Sequence, residues 1–113
     1  MDRYAGAAVC ADRIEEELQK MGAWQSAPPD DAAFESETAF FADTMTLYQW
    51  LQFVLLPRVR EIVAERGDFP QSSSVGTYAV RELDGCTEAA DLVTALCDFD
   101  AYIEGLHHGR RKA

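Results

Sequence analysis

Basic residues are scarce in this chain, which carries ten Lys and Arg against twenty Asp and Glu, for a formal charge of -10. A field of that sign repels nucleic-acid phosphates and anionic membrane surfaces, so direct nucleic-acid binding is not expected. The cations Arg110, Arg111 and Lys112 sit together at the C-terminal end and are too few for a stable phosphate footprint. Cysteine is also sparse. Cys10, Cys86 and Cys97 form an odd set without a CxxC pair, which excludes a disulfide framework and fits a reducing compartment. No basic start followed by an apolar run marks a signal peptide. The densest apolar stretch, Leu47 to Leu56, is interrupted by Gln49 and Gln52 and is too short to span a bilayer. A cytoplasmic protein with no membrane contact is the expectation.

Catalytic punctuation is missing as well. The histidines are His107 and His108, with no Cys or carboxylate at ligand spacing, so neither a metal site nor a cofactor is expected. Glu15, Glu16 and Glu17 read as a solvated face, because a di-metal bundle needs Glu-x-x-His pairs. Ser72, Ser73 and Ser74 have no histidine near in sequence. No P-loop, GxGxxG, nucleophile elbow or HExxH occurs. A non-enzyme is the expectation.

What is present is helical periodicity. Of 113 residues, 48% are hydrophobic and 11% aromatic, enough for one core in a chain near the modal domain length. Tyr4, Ala7, Ala11, Ile14, Leu18 and Met21 recur three and four apart, which predicts a helix from Asp2 or Arg3 to Met21, stopped by Gly22. From 23 to 41 the chain reads as an ordered loop, pinned to the core by Trp24, Phe34, Phe40 and Phe41. Thr46 and Gln49 spell a capping box for a central helix. Residues 47 to 56 are apolar nearly all round, which places that helix inside. Pro57 lacks an amide hydrogen and collides with the Phe53 carbonyl, so a kink or restart is expected there. Gly67 is the next stop signal. A loop from 68 to 77 precedes a short helix from Tyr78 to Leu83. A last helix opens at Thr87 and Glu88 and runs on Leu92, Leu96, Phe99, Ile103 and Leu106. The fold class predicted is all-α, a small antiparallel bundle of about four helices around a Pro-kinked central helix. One domain should cover 1–106, followed by a frayed basic tail, 107–113.

In an unbroken helix Arg58 projects about 20° from Leu47, in the middle of the apolar face. Burying an unpaired guanidinium there is costly. Asp43 is the expected partner, with Glu61 or Asp98 as substitutes. The rival reading is an anion or carboxylate pocket of Arg58 with Thr44 and Thr46. Trp50 and Phe53, with Phe40 and Phe41, form either core or a partner groove.

The run Phe40-Phe41-Ala42-Asp43-Thr44-Met45, followed by Trp50-Leu51-Gln52-Phe53-Val54-Leu55-Leu56-Pro57-Arg58, resembles the YqcC-like family of small bacterial proteins of unknown function. That resemblance implies a four-helix fold and no established activity. It singles out Asp43, Thr44, Trp50, Gln52, Pro57 and Arg58 as family-motif binding candidates. The family's label refers to tRNA pseudouridine synthase C, an activity that does not carry over: the chain is too short for a synthase domain, is helical, and is acidic. The function expected is a non-catalytic protein-interaction or adaptor module with an unknown protein partner. The alternatives are an accessory to tRNA modification or a small anionic-ligand binder at Arg58. The stripes on the first and last helices also permit a homodimer.

Overall fold

Asp2 opens the first helix, α1 (Arg3–Lys20), by accepting the Ala5 amide at 2.7 Å. The computed structural model describes residues 2–108. Arg110, Arg111 and Lys112 lie outside the described residues. Tyr4, Ala7, Ala11, Ile14 and Leu18 are buried, as their spacing predicts. Gly22, at φ +74°, ends α1: the Ala23 amide returns to the Leu18 carbonyl and the Gly22 amide to that of Gln19, the paired closure that a left-handed residue permits.

The central helix α2 is assembled from Leu47–Trp50, a π turn over Leu51–Leu55, and Leu56–Glu65. Its start is the predicted capping box: the Gln49 amide reaches Thr46 Oγ1 at 3.1 Å and the Thr46 amide reaches Gln49 Oε1 at 2.9 Å. The π turn is how the chain meets Pro57. The Leu56 amide donates back to the Leu51 carbonyl, and this widened turn relieves the crowding that the proline ring imposes. One extra residue in a turn rotates everything beyond it by about 100°. Buried positions therefore step from Leu47 to Leu51, then Leu56 and Val59, with Arg58 turned to solvent. α2 is also less enclosed than its composition suggests, since Trp50, Phe53, Val54 and Leu55 are half-buried. At its far end Arg66 rather than Gly67 takes the left-handed position, φ +51°. The Tyr4 hydroxyl lies 2.8 Å and 2.9 Å from the Arg66 and Gly67 carbonyls, and the Arg66 guanidinium covers the Tyr4 ring at 4.5 Å.

The third helix, α3 (Val75–Glu82), starts three residues before the predicted Tyr78. The reason is long-range. Asp100, buried in α4, accepts the amides of Val75 at 3.0 Å and Gly76 at 2.7 Å, together with the Ser73 hydroxyl. After a 3₁₀ turn at Thr87–Ala89, α4 (Ala90–His108) buries Leu92, Ala95, Leu96, Phe99 and Ile103. It passes through Gly105 without a break.

The four helices make one small all-α bundle. α1 packs on α4 and on the second half of α2, and α3 packs on α4. Bridges from Arg60 to Asp12 (3.2 Å) and Glu15 (2.7 Å) and from Arg13 to Asp98 (2.7 Å) span these seams. Exposed pairs of this kind contribute little. No helix among the described residues is long and apolar enough to cross a membrane. The cysteines are free, Cys10 half-buried and Cys86 and Cys97 exposed. Burial pushes the Cys10 thiol pKa up.

The seam between α3 and α4 is glycine-dependent. A Cβ on Gly76 would sit 2.7 Å from the Cys97 backbone, whereas one on Gly105 would meet nothing within 4 Å. Gly76→Ala should lower folding stability by about 1–3 kcal/mol through overpacking. Gly105→Ala, in a helix interior with room, should raise it by about 0.5–1 kcal/mol. Urea titration of both variants is the check, and a neutral Gly76→Ala would refute the close approach.

Candidate functional site

The aromatic loop reaches the bundle through two consecutive left-handed residues, Phe40 (φ +57°) and Phe41 (φ +50°). Bulky side chains avoid that region at about 1–2 kcal/mol each, so something must hold them there. Phe40 is held by rings: it stacks on Tyr78 at 4.2 Å and 8°, and meets Trp50 edge-on at 4.9 Å and 72°. Trp50 is thus the wall against which the loop docks, and it stays half-buried rather than fully in the core.

Three motif residues hold the same loop by hydrogen bonds. Gln52, 8% exposed, accepts the Gln25 amide at 2.8 Å and donates to the Gln25 carbonyl at 2.7 Å. A side-chain amide that mimics a strand partner in this way anchors a backbone without any sheet. Thr44 donates to the Ala33 carbonyl at 2.7 Å. Asp43 accepts the Ser36 hydroxyl, and this bond is the main cause that lowers its carboxyl pKa.

The expected Arg58–Asp43 pair therefore does not form. Asp43 is engaged with Ser36, Asp98 with Arg13, and no carboxylate among the described residues lies within ion-pair distance of Arg58. The pocket of Arg58 with Thr44 and Thr46 is not assembled either, because Thr44 faces Ala33 and Thr46 caps α2. Arg58 instead borders a small concavity of about 190 Å³ with Glu61, Ile62, Glu65 and Gly67, and stands between two larger, apolar-lined ones. One, of about 480 Å³, is lined by Phe40, Leu55, Val59, Ile62, Phe69, Val75, Phe99 and Ile103, with Arg58, Asp68, Ser72, Ser73 and Ser74 as its polar members. The other is shallower, about 340 Å³, and holds Phe34, Phe41, Phe53, Val54 and Pro57 beside Arg58 and Glu61. Pro57 lines this second groove and, through the π turn, aims Arg58.

Sequence reasoning overlooked Asp100, which lies one helical step from Leu96 on the apolar stripe of α4. A carboxylate at a core position needs donors, and that was the available signal. It also overlooked Phe69, which closes the larger concavity and packs on Tyr4 at 5.6 Å.

The family model DUF446, described as tRNA pseudouridine synthase C, matches residues 8–102. The chain belongs to this family. The solution NMR structure of YqcC from Escherichia coli is similar to it with a TM-score of 0.82 at 26% identity, over 92% of this chain and 90% of that one. The E. coli K12 protein, itself called uncharacterized, is 32% identical over 74 residues, 59% of this chain and 68% of that protein. An uncharacterized protein of Haemophilus influenzae is 29% identical over 85 residues, 75% of this chain and 80% of that one. A protein of Pectobacterium carotovorum named tRNA pseudouridine synthase C is 39% identical over 59 residues, which are 52% of this chain but 16% of that protein. The family match and the YqcC structure thus support the resemblance read from the paired motif and its four-helix fold, and the relatives from H. influenzae and E. coli are called uncharacterized.

Two measurements check the loop anchorage. Gln52→Leu removes both bonds to Gln25 and should cost about 1–3 kcal/mol, with faster amide exchange at Gln25. Unchanged exchange there would mean that Gln52 does not hold the loop. Asp43 has a lowered folded pKa, so its contribution is present above the ordinary carboxylate pKa and is lost as pH falls through the lowered value. A carboxyl-carbon NMR titration should place Asp43 below an unstructured Asp, and Ser36→Ala should shrink the difference.

Proposed function

We propose that this chain is a non-catalytic protein-interaction module, with its docking surface on the two concavities astride Arg58. One observation supports the reading above others: an arginine without a carboxylate partner among the described residues stands between two apolar hollows, in a chain of net charge -10. Core-facing rings are spent on the bundle, yet Phe34, 36% exposed, and the half-buried Phe41, Phe53 and Val54 remain at the surface. Apolar and Arg side chains gathered at a concave surface are the usual composition of an interface centre. The larger hollow offers serine hydroxyls and Asp68 with no histidine beside them, a poor arrangement for nucleophilic chemistry.

A second reading has its own support. A stretch similar to 52% of this chain forms 16% of a protein named tRNA pseudouridine synthase C. Tethering two modules in one polypeptide raises their effective concentration. A separate chain of the same kind would then serve as an accessory to tRNA modification by docking on such an enzyme, without touching the RNA.

The test is a photo-crosslinking amino acid placed at Ser72, Glu61 and, as a control, Glu16 on the outer face of α1, each in the native cell. A discrete protein adduct at Ser72 or Glu61, absent at Glu16, is the expected result. Adducts at all three sites, or at none, would sink the interaction reading. An adduct of twice the chain's mass would identify a second copy as the partner. One containing a tRNA pseudouridine synthase would carry the accessory reading.

A further inference from the structure

Between Lys20 and Arg58 the chain contains no basic residue, yet it carries Asp30, Asp31, Glu35, Glu37 and Asp43. The fold lays this stretch across one side of α2. There the turn Asp31–Glu35 brings Phe34 to the groove that Phe41, Phe53, Val54 and Pro57 also line. All five carboxylates are exposed, and Thr44 and Asp43 fasten their loop through Ala33 and Ser36. Asp31 and Glu35 flank Phe34 in that turn and Asp43 follows Phe41 by two positions, so acidic residues adjoin an apolar groove of about 340 Å³ whose own charged lining is Arg58 and Glu61. The cation at its edge is Arg58, with Glu61 one turn along.

Building on the interaction reading, we infer that this groove docks a basic, apolar-bearing segment of a protein partner. The occupant is an extended or helical stretch whose apolar side chains fill the hollow between Phe34 and Phe53, with Lys or Arg side chains reaching the loop carboxylates. Charge complementarity makes this choice. A second copy of the chain brings another net charge of -10 and is repelled, and an acidic segment meets the same field. A basic segment is drawn in, and its cations meet the exposed carboxylates of the loop. Attraction of this kind weakens as salt rises.

The experiment titrates the full ¹⁵N-labelled chain with three synthetic 18-residue peptides: Leu and Lys in amphipathic order, Leu and Glu in the same order, and Ser and Lys. The Leu/Lys peptide should bind, shifting the amides of Phe34, Phe41, Phe53 and Val54. It should bind at least fivefold more weakly to Glu35→Lys/Glu37→Lys, and more weakly in 300 mM than in 50 mM salt. The control variant Glu16→Lys should retain binding within twofold. Equal binding of the Leu/Glu peptide would remove the charge argument. Equal binding of the Ser/Lys peptide, or shifts centred away from Phe34 and Phe53, would remove the groove. Absence of binding by all three would overturn the inference outright. A native-cell adduct at Glu61 that survives Glu35→Lys/Glu37→Lys would leave the interaction module standing without a basic partner. Loss of every adduct in the unaltered chain would bring down the module itself.

Discussion

The missing amide at position 57 governs this structure. A proline inside a helix forfeits one hydrogen bond and crowds the carbonyl four residues earlier. Here the chain answers with one widened turn over Leu51–Leu55. Everything downstream is rephased by that turn. Leu56 and Val59 enter the core where Leu55 and Arg58 would otherwise have gone. The bundle thereby avoids burying a guanidinium and presents it between two hollows instead. A single covalent constraint sets both the packing of α2 and the polarity of its exposed side.

The aromatic loop depends on that side of α2. Holding Phe40 and Phe41 in left-handed backbone is unfavourable by itself. The stack on Tyr78, the edge contact with Trp50 and the two bonds from Gln52 offset it. Trp50 and Gln52 belong to the helix, whereas Phe40, Asp43 and Thr44 belong to the loop. The motif is thus one mechanical unit in two sequence pieces: Phe40 meets Trp50, while Asp43, Thr44 and Gln52 hold Ser36, Ala33 and Gln25 of the loop. Arg58 is the member that reaches outward.

Much of the fold was legible in the sequence because its signals are local. The stripe of Tyr4, Ala7, Ala11, Ile14 and Leu18 repeats at helical spacing, and Thr46 with Gln49 is a cap complete within four residues. The failures come from distant partners. α3 begins at Val75 because Asp100 supplies the acceptor for its first amides, and no local cap marks that start. Arg58 was placed on the wrong face because a constant angle per residue cannot foresee a π turn. Arg66 took the terminating conformation expected of Gly67, since the Tyr4 ring and hydroxyl reward that geometry. The pairing of Asp43 with Ser36 rather than Arg58 follows from the same misplacement. The aromatic loop was read as pinned, but its left-handed bend has no signature in composition.

The cap that Asp100 provides bears on the order of folding. α3 is eight residues long, below the length at which an isolated helix holds together in water. Its first turn is completed by a carboxylate 25 positions further along the chain. That helix therefore cannot nucleate by itself and must wait until α4 has formed and docked. Residues made later are needed to finish an element made earlier, and a nascent polypeptide that has not reached Asp100 leaves α3 and its seam on Cys97 unformed.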